Sequence, residues 1–356
     1  MNVLIDGRPL VGNRTGIGVH TAEIARRLDV TPPPLIASHA EIENRDDIEH
    51  CRFRVDPTKL GVAWQQLKLG RIDADVLWGP HGTLPMNVRI PAVVTLHDFT
   101  SITMPGRHRL KTVLSFNLFI ARSLELARRV ACVSRAVADE AIRGFAVARK
   151  KIELVPNGVD LEFFTPGGGE GDYVLFVGTL EPRKGIEDLL AVWPSIPSPR
   201  PRLVLCGDPG WGSGQWAVGG GQKKPLPTAH RQLPTDIHLP GFVTREQLRE
   251  LYRGARAFVY PSRYEGFGIP PLEAMACGAP VIATRTGAIP DFAGDAALLV
   301  DPGDRDALRD ALVRVLRDSA LRSELRVRGS ERARAYSWER SARTMTELLA
   351  EAARCA

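Results

Sequence analysis

Cysteine is scarce in this chain and shows no pairing pattern: Cys51, Cys132, Cys206, Cys277 and Cys355 are five in number, widely scattered, and no two form a Cys-x-x-Cys. That excludes a disulfide scaffold and a zinc cage, and reduced thiols are the expectation. Long apolar runs are missing as well. No stretch reaches the ~18 uninterrupted apolar residues of a membrane-spanning helix. The opening Met1-Asn2-Val3-Leu4-Ile5-Asp6 lacks the basic start and apolar run of a signal peptide, so a cytoplasmic protein is expected. Neither sign of charge is in large excess: 47 Lys and Arg stand against 41 Asp and Glu, a formal net charge of +6. This balance favours anionic partners, a phosphate-bearing small molecule or an acidic membrane surface among them. It lacks the dense basic stripe of a nucleic-acid binder.

What is present is the composition of a chain that buries a core, with 44% hydrophobic and 25% charged residues. At 356 residues it is too long for one typical domain and suits two. Short apolar runs alternate with longer amphipathic stretches, the pattern of strand-helix-strand units on a parallel sheet. In the first half the pattern predicts strands near Asn2, Leu35, Val76, Ala92, Val130 and Ile152, with helical periodicity after Gly18 and after Leu110. It restarts near Tyr173 and continues near Leu203, Ala257, Val281 and Ala297. Two turn-rich segments, Pro156-Asn157-Gly158-Val159-Asp160 and Thr165-Pro166-Gly167-Gly168-Gly169, mark the join. The expected division is 1–165, 166–337, and an amphipathic tail at 338–356 that packs back across the junction. Ligands of doubly wound sheets lie outside the carboxyl ends of the strands, so two such domains facing each other make a cleft in which function is expected. One segment breaks the pattern. From Gly207 through Pro227 there is no periodicity, which fits a mobile loop near the cleft or an insertion without a role.

The densest chemistry lies in Pro261-Ser262-Arg263-Tyr264-Glu265-Gly266-Phe267-Gly268-Ile269-Pro270-Pro271-Leu272-Glu273. Glu265 falls in a Gly-rich loop after a strand, and Glu273 about a turn into the following helix. One carboxylate then reaches the reactive end of a ligand while the other grips its far end, and the helix start offers free N–H groups to a phosphate. As an isolated pair, both glutamates read more readily as solvated charges. Gly16-Ile17-Gly18 opens a helix after a strand but lacks the third glycine of the dinucleotide fingerprint. Asp73-Ala74-Asp75 has the form of a metal-binding Asp-x-Asp, but it precedes a strand at the amino edge of the sheet and reads as solvated turn acids. The basic run Arg107-His108-Arg109 with Lys111 leads an apolar helix, open to an anionic membrane surface or to an ordinary domain packing.

The long string, together with Val177-Gly178-Thr179-Leu180-Glu181-Pro182-Arg183-Lys184-Gly185, Pro156-Asn157-Gly158-Val159-Asp160, Arg14-Thr15-Gly16-Ile17-Gly18 and Thr95-Leu96-His97-Asp98, resembles the family-4 retaining glycosyltransferases over most of the chain. That resemblance implies a GT-B fold, two facing Rossmann-like domains, with the acceptor in the first and the nucleotide sugar in the second. It implies that Glu273 accepts from the ribose hydroxyls, that Glu265 with the amides of Phe267, Gly268 and Ile269 holds donor sugar and pyrophosphate, and that Lys184 neutralises the diphosphate. It further implies that the loop of Gly16 and Gly18 reaches over the donor phosphate and the acceptor, that His97 touches the donor sugar, and that Asp98 either orients the imidazole or meets the acceptor. Thr179 departs from the pattern, standing where many members carry an arginine five residues before the lysine. Arg183 is the candidate to supply that charge.

A retaining glycosidase needs two carboxylates about 5–5.5 Å apart flanking the anomeric carbon, and the motif offers none there. The resemblance implies instead front-face transfer of a hexosyl unit with retention, without a metal or other cofactor. Its details are most similar to bacterial mannosyl- or rhamnosyltransferases of surface-glycan, glycolipid and natural-product pathways. GDP-mannose is the first expectation for the donor and a UDP-hexose the next. A nucleotide-sugar epimerase, a phosphorylase-like enzyme on the same architecture and a degenerate binding subunit are the competing readings.

Overall fold

The computed structural model describes residues 1–356 except 13–15, 43–44, 104–109, 170, 208–215, 218–230, 233–235, 242 and 355–356. It divides into two compact units, one made of Met1–Gly158 with Ser337–Ala356, the other of Val159–Tyr336.

The first unit carries β1 (Val3–Asp6), α1 (Gly16–Ala25), β2 (Leu35–Ser38), β3 (Arg52–Val55), α2 (Gly61–Leu67), β4 (Val76–Gly79), β5 (Ala92–Leu96), α3 (Thr100–Thr103), α4 (Leu110–Leu126), β6 (Arg129–Cys132), α5 (Arg135–Phe145) and β7 (Ile152–Leu154). The strands form one parallel sheet in the order β3-β2-β1-β4-β5-β6-β7. β1, β4 and β5 are buried along their whole length. Helices on both faces of a parallel sheet require such uninterrupted apolar runs.

The second unit carries β8 (Tyr173–Val177), α6 (Ile186–Val192), β9 (Arg202–Cys206), a short ladder of β10 (Trp216–Ala217) on β11 (Arg231–Gln232), β12 (Ile237–Gly241), α7 (Arg245–Gly254), β13 (Ala257–Tyr260), α8 (Ile269–Ala276), β14 (Val281–Thr284), α9 (Ile289–Ala293), β15 (Ala297–Val300), α10 (Arg305–Arg317) and α11 (Ser319–Ala333). Its main sheet is parallel, in the order β12-β9-β8-β13-β14-β15. Both units are thus doubly wound Rossmann-like α/β sheets, as expected. In each, strand order reverses between the first strand and the fourth, β1 against β4 and β8 against β13, and that is where ligands of such sheets sit.

The division falls at Gly158/Val159 rather than at 165/166. The reason is local packing: Val159 N donates to Tyr336 O at 2.9 Å, Phe164 lies edge-on to Tyr252 at 6.1 Å, and Arg253 donates to Thr165 O at 2.8 Å. The segment 159–165 therefore already belongs to the second unit. The tail, α12 (Trp338–Arg354), is a part of the first unit, packed on α1, β4, β5 and β6. β3 and β12 are strands that the apolar pattern does not announce. The irregular segment after Gly207 lies mostly outside the described residues, as do Arg107-His108-Arg109 and the Lys111 side chain. Cys51, Cys132, Cys206 and Cys277 are buried thiols, none of them in a disulfide. Among the described residues no helix is long and apolar enough to cross a membrane.

Candidate active site

At the reversal point of the second sheet, two loops leave the carboxyl ends of β8 and β13. The first passes through Thr179, which is exposed, and turns through a 3-10 segment, Pro182–Lys184, that closes at Gly185. Gly185 has φ +71°, and a Cβ on it would stand 1.9 Å from Pro261 O. Only a glycine lets the turn lie directly against the exit of β13. That approach carries Lys184 into the second loop, where both it and Glu265 are 8% exposed.

Four groups converge on one carboxylate oxygen. Glu265 Oε1 accepts from Lys184 Nζ at 2.5 Å, from Ser262 Oγ at 2.6 Å and from Tyr260 Oη at 3.0 Å, while Arg183 Nη1 stands 3.8 Å away. Lys184 Nζ also donates to Tyr260 Oη at 2.7 Å. Among the described residues Oε2 receives none of these bonds. Burial pushes the Glu265 carboxyl up, but Lys184 and then Arg183 outweigh it and hold the group below its ordinary value. Burial is also the largest influence on Lys184 and pulls it down, against the opposing pull of Glu265. Tyr260 is raised well above its ordinary value by burial and by Glu265, so its phenol stays a donor. Arg183 Nε donates to Glu181 Oε2 at 2.9 Å, which keeps its guanidinium on this side of the turn.

The second loop ends at Gly268, the cap of α8, where φ is +98° and no side chain closes the helix end. Pro270 and Pro271 follow without N–H groups, so the donors at this end are the backbone amides of Phe267, Gly268 and Ile269. Phe267 is buried against Phe292, ring centroids 5.4 Å apart, which fixes the loop that presents them. Glu273, half-buried on α8, accepts from Tyr252 Oη at 3.0 Å through Oε2. This crevice offers cations and amide donors at one end and a carboxylate on a helix at the other, which suits a diphosphate joined to a diol.

In the first unit His97 leaves the carboxyl end of β5, half-buried, with Nε2 2.9 Å from Pro80 O. A carbonyl only accepts, so Nε2 carries the proton and Nδ1 the lone pair. Burial, against smaller opposing contributions from Pro80 and Asp98, pulls His97 down to about 4. Asp98 Oδ1 accepts from Thr100 N at 2.9 Å and Thr100 Oγ1 at 2.5 Å, closing the start of α3. Among the described residues the carbonyl of Pro80, not Asp98, makes the imidazole's hydrogen bond. Gly16 is exposed and Gly18 buried in the first turn of α1, while Arg14 and Thr15 lie outside the described residues. Asp73 and Asp75 are exposed at the amino edge, Asp75 accepting from Asn2 N at 2.6 Å.

Lys184, Arg183 and Glu265 are thus brought together, and Glu273 rises from the helix that the same loop opens. Sequence reasoning gave no role to Tyr260, Ser262 and Tyr252, which hold the two glutamates, or to His20. His20 is fully buried on α1, edge-on to His97 with ring centroids 4.7 Å apart, and its Nδ1 lies 2.7 Å from Asn157 Oδ1. Its only sequence signal is a histidine four residues into the helix opened by Gly16, paired with an asparagine read as part of a turn.

Residues 14–163 match the family model described as Glycosyltransferase Family 4, and residues 162–336 the one described as Glycosyl transferases group 1. The O-antigen chain mannosyltransferase B of Escherichia coli is 30% identical over 95% of this chain and 97% of its own length. The D-inositol 3-phosphate glycosyltransferase of Corynebacterium jeikeium is 31% identical over 60% of this chain and 55% of its own. Among solved structures, Anabaena Alr3699/HepE in complex with UDP-glucose covers 99% of this chain and 100% of its own at a TM-score of 0.78 and 19% identity. The sucrose-phosphate synthase from Thermosynechococcus elongatus covers 100% and 99% at 0.74 and 24%.

Proposed function

The chain belongs to glycosyltransferase family 4, and on that premise we propose that it transfers a hexosyl unit from a nucleoside-diphosphate sugar to an acceptor hydroxyl, with retention at the anomeric carbon. The observation that carries this reading is the Lys184–Glu265 pair, with Arg183 beside it, at the reversal point of the second sheet. The second unit holds the donor and the first the acceptor. Glu273 accepts from the ribose hydroxyls, the amides of Phe267, Gly268 and Ile269 meet the pyrophosphate, and Glu265 Oε2 takes a donor-sugar hydroxyl.

Negative charge grows on the diphosphate as the anomeric C–O bond breaks. A fixed cation there stabilises the transition state more than the ground state, and a buried one does so most strongly. Lys184 and Arg183 have that position, so the transfer runs without a metal ion. The departing phosphate oxygen takes the proton of the incoming hydroxyl on the same face, and the sugar keeps its configuration. His97, held neutral, contacts the donor sugar. GDP-mannose is the first donor proposed, because the relative from E. coli is named a mannosyltransferase. A UDP-hexose is second, because HepE is solved with UDP-glucose.

Thermal melting with GDP, UDP, dTDP and ADP and their sugars tests the donor, since a ligand at 100 times its Kd stabilises by roughly 2.7 kcal/mol. GDP or GDP-mannose is expected to give the largest shift, and NMR of the product is expected to show an α-linkage from an α-donor. An inverted product removes the front-face mechanism; no shift with any nucleotide in folded protein removes the donor site.

A further inference from the structure

The first sheet has its own reversal point, between β1 and β4, and the chemistry at its carboxyl edge differs from that of the second. Asp6, fully buried at the end of β1, is matched by Arg8: Arg8 Nε donates to both carboxylate oxygens at 3.0 and 2.9 Å, and Nη2 to Oδ2 at 2.7 Å. Arg8 Nη2 also donates to Thr83 Oγ1 at 3.1 Å, and Gln65 Nε2 ties Asp6 Oδ2 to Thr83 O at 3.0 and 2.9 Å. The network is locked and its formal charge is zero. Among the described residues Arg8 Nη1 makes none of these bonds.

Two imidazoles follow the strands on either side of β1. His81, half-buried just past β4, makes no hydrogen bond among the described residues, and burial with the charge of Arg8 brings it down to about 4. His39, just past β2, is lowered by the same two causes. Its ring is wedged against the start of α2, where a Cβ on Gly61 would lie 2.9 Å from Cε1. Among the described residues its Nδ1 is buried without a hydrogen-bond partner, and so is the indole N–H of Trp64, which is 2% exposed and whose ring centroid lies 6.2 Å from that of His39. A neutral imidazole offers one donor and one acceptor, the complement of a hydroxyl group. A phosphate needs cations or a bidentate guanidinium, and the guanidinium of Arg8 is already committed to Asp6.

We infer that Arg8, His39 and His81, at the carboxyl edge of the first sheet, bind an uncharged sugar ring of the acceptor through its hydroxyl groups. This rests on the reading of the chain as a transferase whose donor occupies the second unit. The test is saturation-transfer NMR on the full-length protein, with methyl α-mannopyranoside, methyl α-glucopyranoside and mannose 6-phosphate as probes. At least one methyl glycoside is expected to bind, the phosphate ester no more tightly, and His81→Ala or His39→Ala to weaken binding about tenfold, the cost of one or two hydrogen bonds. Should a variant fail to melt cooperatively, the ring ¹H–¹⁵N signals of His39 and His81 in the wild type replace it and are expected to move with glycoside. A phosphate ester bound tenfold more tightly than the glycosides overturns the inference. So do variants that bind as the wild type does, or no glycoside signal from the wild type. Melting shifts with GDP and UDP, read in parallel, test the other reading: their absence beside an intact glycoside signal removes the donor site and leaves this one.

Discussion

Lys184 and Glu265 face each other with both side chains almost wholly buried, so either charge alone is costly. Glu265→Ala is expected to destabilise the protein by about 3–5 kcal/mol, because the ammonium is left without its partner. The double change Lys184→Met with Glu265→Leu should recover most of that loss in urea or thermal unfolding and still not turn over. Lys184→Met alone is expected to lower kcat by the equivalent of about 2–4 kcal/mol of transition-state stabilisation, with a smaller effect on donor KM. A Lys184→Met enzyme with wild-type kcat would sink the electrostatic role. The histidines give a second prediction at this scale. His81 and His97 titrate near 4 in the folded chain, against about 6.5 when unfolded. Between those values the unfolded state binds the extra protons, so stability is full above pH 6.5 and is lost as pH falls toward 4. Melting temperatures from pH 7.5 to 4.5 should decline below 6.5, and His97→Phe should flatten the decline. A curve already flat in the wild type would mean that these rings titrate as exposed ones do.

The turn that ends at Gly185 is an element whose shape depends on one missing side chain. With φ at +71° and Pro261 O where a Cβ would go, Gly185→Ala is expected to cost at least about 1–3 kcal/mol. It should also lower kcat, since the displaced turn carries Lys184. Wild-type kcat and melting temperature together would show that the turn adapts. His20 supports a companion prediction. It stands between Asn157 and His97, so His20→Ala and Asn157→Ala should lower activity non-additively with each other, and a double-mutant cycle that sums to zero would dissolve the coupling. These elements also mark what was legible from the chain. Central strands were readable because burial on both faces demands an unbroken apolar run, as in Ala92–Leu96. β3, Arg-Phe-Arg-Val at an edge of the first sheet, and β12, which contains Pro240 and Gly241 at an edge of the second, lack that demand and gave no signal. Lys184 and Glu265 could be named because each lies in a dense local motif. The His20–Asn157 contact joins positions 137 apart in sequence, and no spacing rule reaches across such a loop.

At the scale of the molecule, the first unit is closed by the end of the chain. An amphipathic stripe in the sequence told that α12 has a buried face, but not what covers it. The face is Trp338, Ala342, Met345, Leu348, Leu349 and Ala352, all buried, and it lies on α1 and on β4, β5 and β6. Ser341 Oγ donates to Pro156 O at 2.5 Å, Trp338 lies 6.0 Å from His20, and Glu339 pairs with Arg27 at 2.6 Å. Each large apolar side chain of this kind contributes about 1.5–3 kcal/mol on burial. Four of them, Trp338, Met345, Leu348 and Leu349, together rival the 5–15 kcal/mol that typically holds a domain folded. Removing residues 337–356 is therefore expected to unfold the first unit and spare the second, whose core is built from Val159–Tyr336 alone. Hydrogen exchange read by mass spectrometry checks this. In the truncated chain the amides of β1, β4 and β5 should lose protection, while those of β8, β13 and α8 keep theirs and a donor nucleotide still slows exchange around Glu265 and Glu273. Transfer to an acceptor should vanish, because the segment that carries His97 and His81 is no longer ordered. Loss of protection in both units at once would show a single cooperative structure, and protection retained in both would show that α12 is dispensable to the core it covers.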